Sequence, residues 1–170
     1  MKRRAFLQYA FAFASAATLT ACGFHLRGSN GEANLPFKTI YLGLPETSVL
    51  GTELRRYIRA TGDTRIVSDP TEAEALFDIL TETREKGNQL LNSQGRVREY
   101  TLYYKLRFQV KGQQGKLFLP PTEITVKRNI SFNESEVLAK EAEDAQVYRD
   151  MQSDLVQQLM RRLAAIESPK

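Results

Sequence analysis

Apolar and polar side chains alternate over a long run in the middle of the chain. The residues at even positions from 100 to 110 are aliphatic or aromatic, and most residues between them are polar or charged. Successive side chains of a β-strand point to opposite faces, so this run predicts one long strand with one buried face. The predicted buried positions are Tyr100, Leu102, Tyr104, Leu106, Phe108 and Val110.

Shorter β-rich runs lie on both sides of this strand. Residues 124–132 repeat the alternation after a glycine-containing turn at 112–115, which predicts a hairpin. Pro120 and Pro121 lack a backbone N–H, so they restrict the segment around them to a sheet edge or a bulge. Further strands are predicted at 37–42, 64–67 and 75–85.

Two segments have the spacing of amphipathic helices. In the first, Ser48 is a suitable N-cap, Gly62 is a suitable C-terminal residue, and the apolar positions between them share one face. Those positions are Leu50, Leu54, Tyr57 and Ile58. The last third of the chain has a similar stripe, made by Val147, Met151, Leu155, Leu159, Leu163 and Ile166, which predicts a long helix packed on a core.

These elements predict an α+β fold. Two helices with one apolar stripe each, and a sheet with one apolar face, bury their apolar surfaces if both helices cover the same side. We therefore expect a two-layer sandwich in which two helices pack on one face of a mostly antiparallel sheet of about four strands. The other face of the sheet would be broad and polar and available to a partner. It would carry Tyr103, Lys105, Arg107 and Lys127.

The N-terminus has the organisation of a secretory signal. Three basic residues at 2–4 precede an apolar run at 5–18, which is too short to cross a bilayer. The sequence Leu-Thr-Ala-Cys at 19–22 resembles the lipobox of bacterial lipoproteins. The sequence therefore predicts cleavage before Cys22, an S-diacylglyceryl group on its sulfur and an N-acyl group on the new amine. Several acyl chains on one residue give a stable membrane anchor.

Removal of the signal changes the domain limits and the charge. We predict a signal peptide at 1–21, a lipidated N-terminus and tether at 22–36, a single α+β domain at 37–166 and a tail at 167–170. The full chain has 24 Lys and Arg against 20 Asp and Glu, and three of the basic residues lie in the signal. The mature part then has 21 against 20, so its charge gives no support to nucleic-acid binding.

The sequence offers little material for catalysis. His25 is the only histidine and Cys22 the only cysteine, and both lie in the predicted tether, where a rigid catalytic or metal site is not expected. Pairs of acidic residues near 82–85, 134–136 and 141–144 are typical of solvated strand and helix ends. We predict a protein that is not an enzyme and has no cofactor besides its covalent lipid.

Several stretches together resemble the lipopolysaccharide-assembly lipoprotein family LptE. They are Cys-Gly-Phe-His-Leu-Arg-Gly at 22–28, Phe-Lys-Thr-Ile-Tyr at 37–41, Glu-Tyr-Thr-Leu at 99–102, Val-Leu-Ala-Lys-Glu at 137–141 and Gln-Gln-Leu-Met-Arg-Arg-Leu at 157–163. The resemblance covers nearly all of the mature chain.

This resemblance implies a location and two partners. Such a lipoprotein is anchored at the periplasmic face of the outer membrane, plugs the β-barrel LptD and takes part in inserting lipopolysaccharide into the outer leaflet. Lipopolysaccharide carries phosphates, so a contact site should present cations. The candidates are Lys140, in the Leu-Ala-Lys-Glu stretch, and Arg96 and Arg98 beside Gly95. Where relatives carry a cation just before that glycine, this chain has Ser93 and Gln94.

Three alternatives remain open at this point. The first is a scaffold lipoprotein that assists barrel assembly and binds no lipid. The second, a hydrolase on a lipid tether, needs a nucleophile and a base that these residues do not supply. The third concerns export, because Arg3 and Arg4 also resemble a twin-arginine signal.

Overall fold

The computed structural model describes residues 34–131 and 137–167, with the backbone alone for residues 88, 89 and 137–141. The elements in chain order are β1 (Thr39–Leu42), α1 (Val49–Thr61), β2 (Arg65–Val67), a 3-10 helix (Pro70–Glu72), β3 (Ala75–Leu91), β4 (Val97–Lys111), β5 (Leu117–Ser131) and α2 (Val137–Ala164). Strands β3, β4 and β5 form two consecutive long hairpins and make up most of the sheet.

The sheet has five strands in the order β2-β1-β3-β4-β5. β1 is parallel to both β2 and β3, whereas the two long hairpins are antiparallel. The expectation of about four mostly antiparallel strands was therefore wrong in this detail, and the sheet is mixed. The physical reason is the helix between β1 and β2, because a strand that returns through a helical crossover pairs in parallel.

The ends of α1 are fixed by the two residues that the sequence indicated. The Ser48 hydroxyl accepts a hydrogen bond from the Gly51 amide at 3.0 Å, as an N-cap does. Gly62 follows the helix with φ 78° and donates its amide to the Arg59 carbonyl, a left-handed conformation that glycine adopts without strain.

One core fills the space between the helices and the sheet. The even positions of β4 from Tyr100 to Val110 are buried as predicted, and so are Met151, Leu155, Leu159 and Leu163 on the stripe of α2. They belong to the same apolar cluster as the buried side of α1, formed by Leu50, Leu54 and Ile58. The α+β sandwich with both helices contributing to one core is thus confirmed. Leu35 already packs in this core, two residues before the predicted domain start.

A bulge near Leu80 divides β3 into two parts. Ile79 pairs with Phe108 and Thr81 with Arg107, so one residue of β3 has no opposite partner. An extra residue reverses which side chains face the core. Phe77 faces inward before the bulge, and Glu82 lies opposite the buried Leu106 after it. The strand also extends to Leu91, six residues beyond its predicted end.

Candidate functional site

The turn between β3 and β4 is defined by one asparagine side chain. The Asn92 Oδ1 atom accepts hydrogen bonds from the Gln94 amide at 3.0 Å and the Arg96 amide at 2.9 Å. Gly95 completes the turn with φ 75°. These bonds set the position of Arg96, whose side chain is exposed at the tip of the hairpin.

Cations and apolar side chains occur together at this tip. Arg98 is exposed two residues into β4, on the strand opposite Leu90 and Leu91. Both leucines are 59% exposed, which is unusual for adjacent large aliphatic side chains. The two arginines were predicted from the sequence, but the two leucines were not. The signal was present, because the leucine pair immediately precedes the Asn-Ser-Gln-Gly turn.

The first turns of α2 are attached to the same end of the sheet by a cluster of three residues, Lys86, Tyr100 and Asp144. The Lys86 amine lies 3.0 Å from an Asp144 carboxylate oxygen and 3.6 Å from the centre of the Tyr100 ring. The Tyr100 hydroxyl donates a hydrogen bond to the other Asp144 oxygen. This distal cluster joins β3, β4 and α2, and sequence reasoning did not identify it.

The candidate Lys140 lies in the first turn of α2, four residues before Asp144. Residues four apart in a helix lie on the same face one turn apart, so the backbone at Lys140 is close to the distal cluster. β5 also ends here, with Ser131 opposite Glu99 of β4. The structure therefore places the backbone of Lys140 at the same end of the sheet as Arg96 and Arg98. The Lys140 side chain, and all of Cys22, lie outside what the structure describes.

A second polar group continues from the distal cluster toward the middle of the sheet. The Tyr104 hydroxyl donates to a Glu82 carboxylate oxygen at 2.6 Å and accepts from the Arg84 guanidinium at 3.1 Å. The Arg84 guanidinium also lies over the Tyr104 ring, 4.6 Å from its centre, and donates to Gln152 of α2 at 3.1 Å. Burial, and then the hydrogen bond to Glu82, raise the pKa of Tyr104 above its usual value, so the hydroxyl stays protonated.

The face of the sheet that points away from the helices is polar over three paired rows. Glu85, Tyr103 and Lys127 form the first row. The other two rows are Thr83, Lys105, Thr125 and Thr81, Arg107, Glu123. All nine side chains of this polar face are exposed or half-buried. The four residues predicted for it from the sequence are among them.

Opposite charges on the polar face pair across the strands. The Lys105 amine lies 2.8 Å from a Glu85 carboxylate oxygen. The hydrogen bond between them lowers the pKa of Glu85 and raises the pKa of Lys105. Both groups are therefore charged at neutral pH, and the face presents mixed charge and hydroxyl groups.

Residues 34–131 and 137–167 contain no group of three or more metal-ligating side chains placed to hold a metal ion. None of the helices in this part of the chain is long and apolar enough to cross a membrane. The side chains of the hairpin tip and of the polar face can bind ions, hydroxyl groups and apolar chains.

Solved structures of the same fold define the class of the protein. The solution structure of lipoprotein B from Nitrosomonas europaea is 34% identical, covers 84% of this chain and 91% of its own, and has a TM-score of 0.70. A minor lipoprotein from Acinetobacter baumannii is 26% identical over 78% of this chain and 94% of its own, with a TM-score of 0.63. The rare lipoprotein B of Shewanella oneidensis, at 21% identity and a TM-score of 0.65, shares the fold. The class is thus the two-layer α+β domain of bacterial lipoproteins.

Sequence comparison gives the family. A sequence model of the LptE family, described as lipopolysaccharide-assembly, matches residues 37–163, and the chain belongs to this family. The LPS-assembly lipoprotein LptE of Pectobacterium atrosepticum is 29% identical over 147 residues, which are 85% of this chain and 78% of that protein. The resemblance found in the sequence is confirmed. The family is a non-enzymatic one, in agreement with the prediction made from the residues.

Proposed function

We propose that this protein is anchored through lipid on Cys22 at the periplasmic face of the outer membrane and occupies the lumen of the β-barrel LptD. There it helps the barrel to assemble and takes part in moving lipopolysaccharide into the outer leaflet. The observation that carries the proposal is the uncovered polar face, in a chain of the lipopolysaccharide-assembly family. The domain limits predicted from the sequence, with a cleaved signal at 1–21 and a tether at 22–36, form part of this proposal.

The polar face suits the lumen of a large barrel. The lumens of large outer-membrane barrels are lined by polar side chains, which alternate along each strand with apolar side chains that face the lipid. A plug that contacts such a wall needs exposed hydrogen-bonding groups of both charges. The face provides three cations and two anions, at Lys105, Arg107, Lys127, Glu85 and Glu123, together with threonine hydroxyls.

The distal end of the sheet, formed by the tip of the β3–β4 hairpin and the first turn of α2, has groups that can bind the lipid. Lipopolysaccharide combines phosphates with acyl chains, so a contact site needs cations next to apolar groups. The hairpin tip has this combination in Arg96, Arg98, Leu90 and Leu91. Lys140 belongs to the same end of the sheet by its backbone position, and a cation there would extend the positive surface toward α2.

Barrel association is tested by reversing charges on the polar face. We expect Arg107→Glu with Lys127→Glu to reduce the amount of LptD that co-purifies in mild detergent at least several-fold. The control is Arg161→Glu with Arg162→Glu, which changes the charge equally at two exposed positions of α2. Equal recovery of LptD with both variants, or no single barrel partner with the unaltered protein, would contradict the plug.

Lipid binding is tested by reversing charges at the distal end. We expect Lys140→Asp with Arg96→Asp to lower lipopolysaccharide recovery in a pull-down while LptD association is retained. The control is Arg65→Asp with Lys116→Asp, two exposed cations where β2 begins and where β4 and β5 turn, at the opposite end of the sheet. If both variants bind lipid like the unaltered protein, the site is refuted. If the unaltered protein binds none, the lipid-free scaffold is the correct function.

The anchor is tested by mass spectrometry of the protein from outer membranes. We expect a chain that begins at Cys22 and carries three acyl chains. The matched variant Cys22→Ser should keep its signal and lose the lipid. A native chain that retains its first 21 residues without lipid would contradict the proposed location.

A further inference from the structure

A cleft of about 460 Å³ lies between α1 and the carboxyl ends of β1 and β2. Its apolar part is formed by Leu42, Ile66 and Val67, where the two parallel strands end. Two arginines of α1, Arg55 and Arg59, form the polar part together with side chains of the neighbouring loops. None of the residues of the polar face or of the hairpin tip contributes to this cleft.

Arg55 is held in place by backbone carbonyls. One nitrogen of its guanidinium donates to the Leu44 carbonyl at 3.1 Å and to the Pro45 carbonyl at 3.4 Å. The side chain is half-buried and its charge is not neutralised by a carboxylate in the part of the chain that the structure describes. A guanidinium has five N–H donors in a fixed plane, so donors remain after these two bonds.

Arg59 lines the same cleft one helical turn further along. Among the described residues it has no ion-pair partner, and its side chain is exposed. Two guanidinium groups four residues apart on a helix lie on one face and repel each other. An anion between them would remove this repulsion and accept hydrogen bonds from both groups.

The location of the cleft in the sheet also favours ligand binding. In open sheets with parallel strands, ligands commonly bind outside the carboxyl ends of the strands. The cleft lies at the carboxyl ends of β1 and β2, which pair in parallel. The volume of the cleft lies within the range of small-molecule sites.

We propose that the cleft binds a phosphate or carboxylate group of a small ligand between Arg55 and Arg59, with the apolar strand ends beneath it. The Tyr41 and Ser68 side chains also line the cleft and supply hydroxyl groups. Glu46 lines it too, and its carboxylate repels an anion and weakens the site. This site is separate from the proposed lipopolysaccharide contact and is independent of the barrel partner.

The test is an NMR titration of the purified full-length chain with inorganic phosphate and, separately, with citrate at fixed ionic strength. We expect saturable shifts of the Gly43 and Ser68 amides, which border the cleft. The probe that saturates at lower concentration identifies the preferred anion. Arg59→Ala should weaken binding at least five-fold, whereas Glu46→Gln should strengthen it.

The matched control is Arg56→Ala, which removes the same charge from the same helix. The Arg56 side chain is 74% exposed, lies 3.7 Å from Glu53 and does not line the cleft. Binding should be unchanged in this variant. Equal weakening by Arg56→Ala and Arg59→Ala would reduce the effect to general surface charge and overturn the site. Shifts that do not saturate with either probe, or binding that is indifferent to Glu46→Gln, would overturn it as well.

Discussion

The two parts of β3, before and after its bulge, are held against the rest of the fold by different kinds of contact. Before the bulge, Ala75 and Phe77 are fully buried in the apolar core. After it, the core-facing positions are Glu82, Arg84 and Lys86. Arg84 donates a hydrogen bond to Gln152 of α2 and Lys86 forms an ion pair with Asp144 of α2, whereas Glu82 accepts a hydrogen bond from Tyr104 of β4. One strand thus has an end held by apolar burial and an end held by polar contacts.

This difference bears on the proposed binding of lipopolysaccharide at the distal end. The burial of apolar side chains stabilises the part of the fold before the bulge. Exposed ion pairs contribute little stability and rearrange easily. The proximal part, with β1, β2 and α1, can therefore remain rigid while the hairpin and the start of α2 adjust to a ligand. Substitutions that weaken each part separately should therefore have different effects on stability.

The largest effect is expected from the proximal core. Phe77 is fully buried, and its ring centre lies 5.4 Å from that of Phe108. Phe77→Ala removes this contact and leaves a cavity, so the free energy of unfolding should fall by about 3–5 kcal/mol. Urea denaturation measures the change. A loss below about 1 kcal/mol would show that the proximal core is not the more stable part.

A smaller effect is expected where the two helices meet. The Glu53 side chain of α1 is only 11% exposed, and its two oxygens accept from Gln152 and Ser153 of α2 at 2.7 Å each. Glu53→Ala leaves these donors without a protein acceptor and should cost about 1–3 kcal/mol in the same measurement. Glu53→Gln retains an acceptor and is the control. Equal losses in the two variants would mean that the hydrogen bonds are not responsible.

The proximal part and the helices followed from the sequence because they obey local rules. The caps at Ser48 and Gly62, the stripe of α2 and the alternation of β4 depend on residues close together in the chain. The same rules placed Arg96 and Arg98 beside a turn that the structure has at Gly95. The parallel pairing of β1 was missed because the helix between β1 and β2 was not used as a sign of a crossover.

The distal part did not follow from the sequence because its contacts are long-range. Glu82, Arg84 and Lys86 have the composition of a solvated strand face, and only the bulge near Leu80 turns them toward α2. Asp144 lies 58 residues from Lys86 in the chain, so no local pattern joins them. A charged residue on a core-facing position is recognisable only when its partner across the fold is known.

A still smaller effect on global stability is expected from the distal cluster. Lys86→Ala removes the ion pair with Asp144 and the contact with the Tyr100 ring. The Lys86 side chain is 47% exposed, so the global free energy of unfolding should change by less than about 1 kcal/mol. Amide hydrogen exchange should nevertheless become faster in the β3–β4 hairpin and the start of α2. Lys116→Ala, an exposed lysine at the other end of the sheet, is the control.

The opposite result for Lys86→Ala is equally informative. A global loss as large as that of Phe77→Ala, with faster exchange throughout the sheet, would mean that the polar contacts are part of the main core. The two ends of β3 would then unfold as one unit, and the proposed adjustment at the hairpin would have no basis.

The smallest effect is expected at alkaline pH. Burial and the Glu82 hydrogen bond raise the pKa of Tyr104 in the folded protein above its unfolded value of about 10. Above pH 10 the unfolded chain therefore releases this proton while the folded chain keeps it, and stability falls as the pH rises. Tyr104→Phe removes this titration, so its stability should decline less steeply between pH 10 and 11. Parallel declines for the two proteins in urea denaturation would show that Tyr104 ionises as readily in the fold as in the unfolded chain, and that the distal part is more open to water than its hydrogen bonds imply.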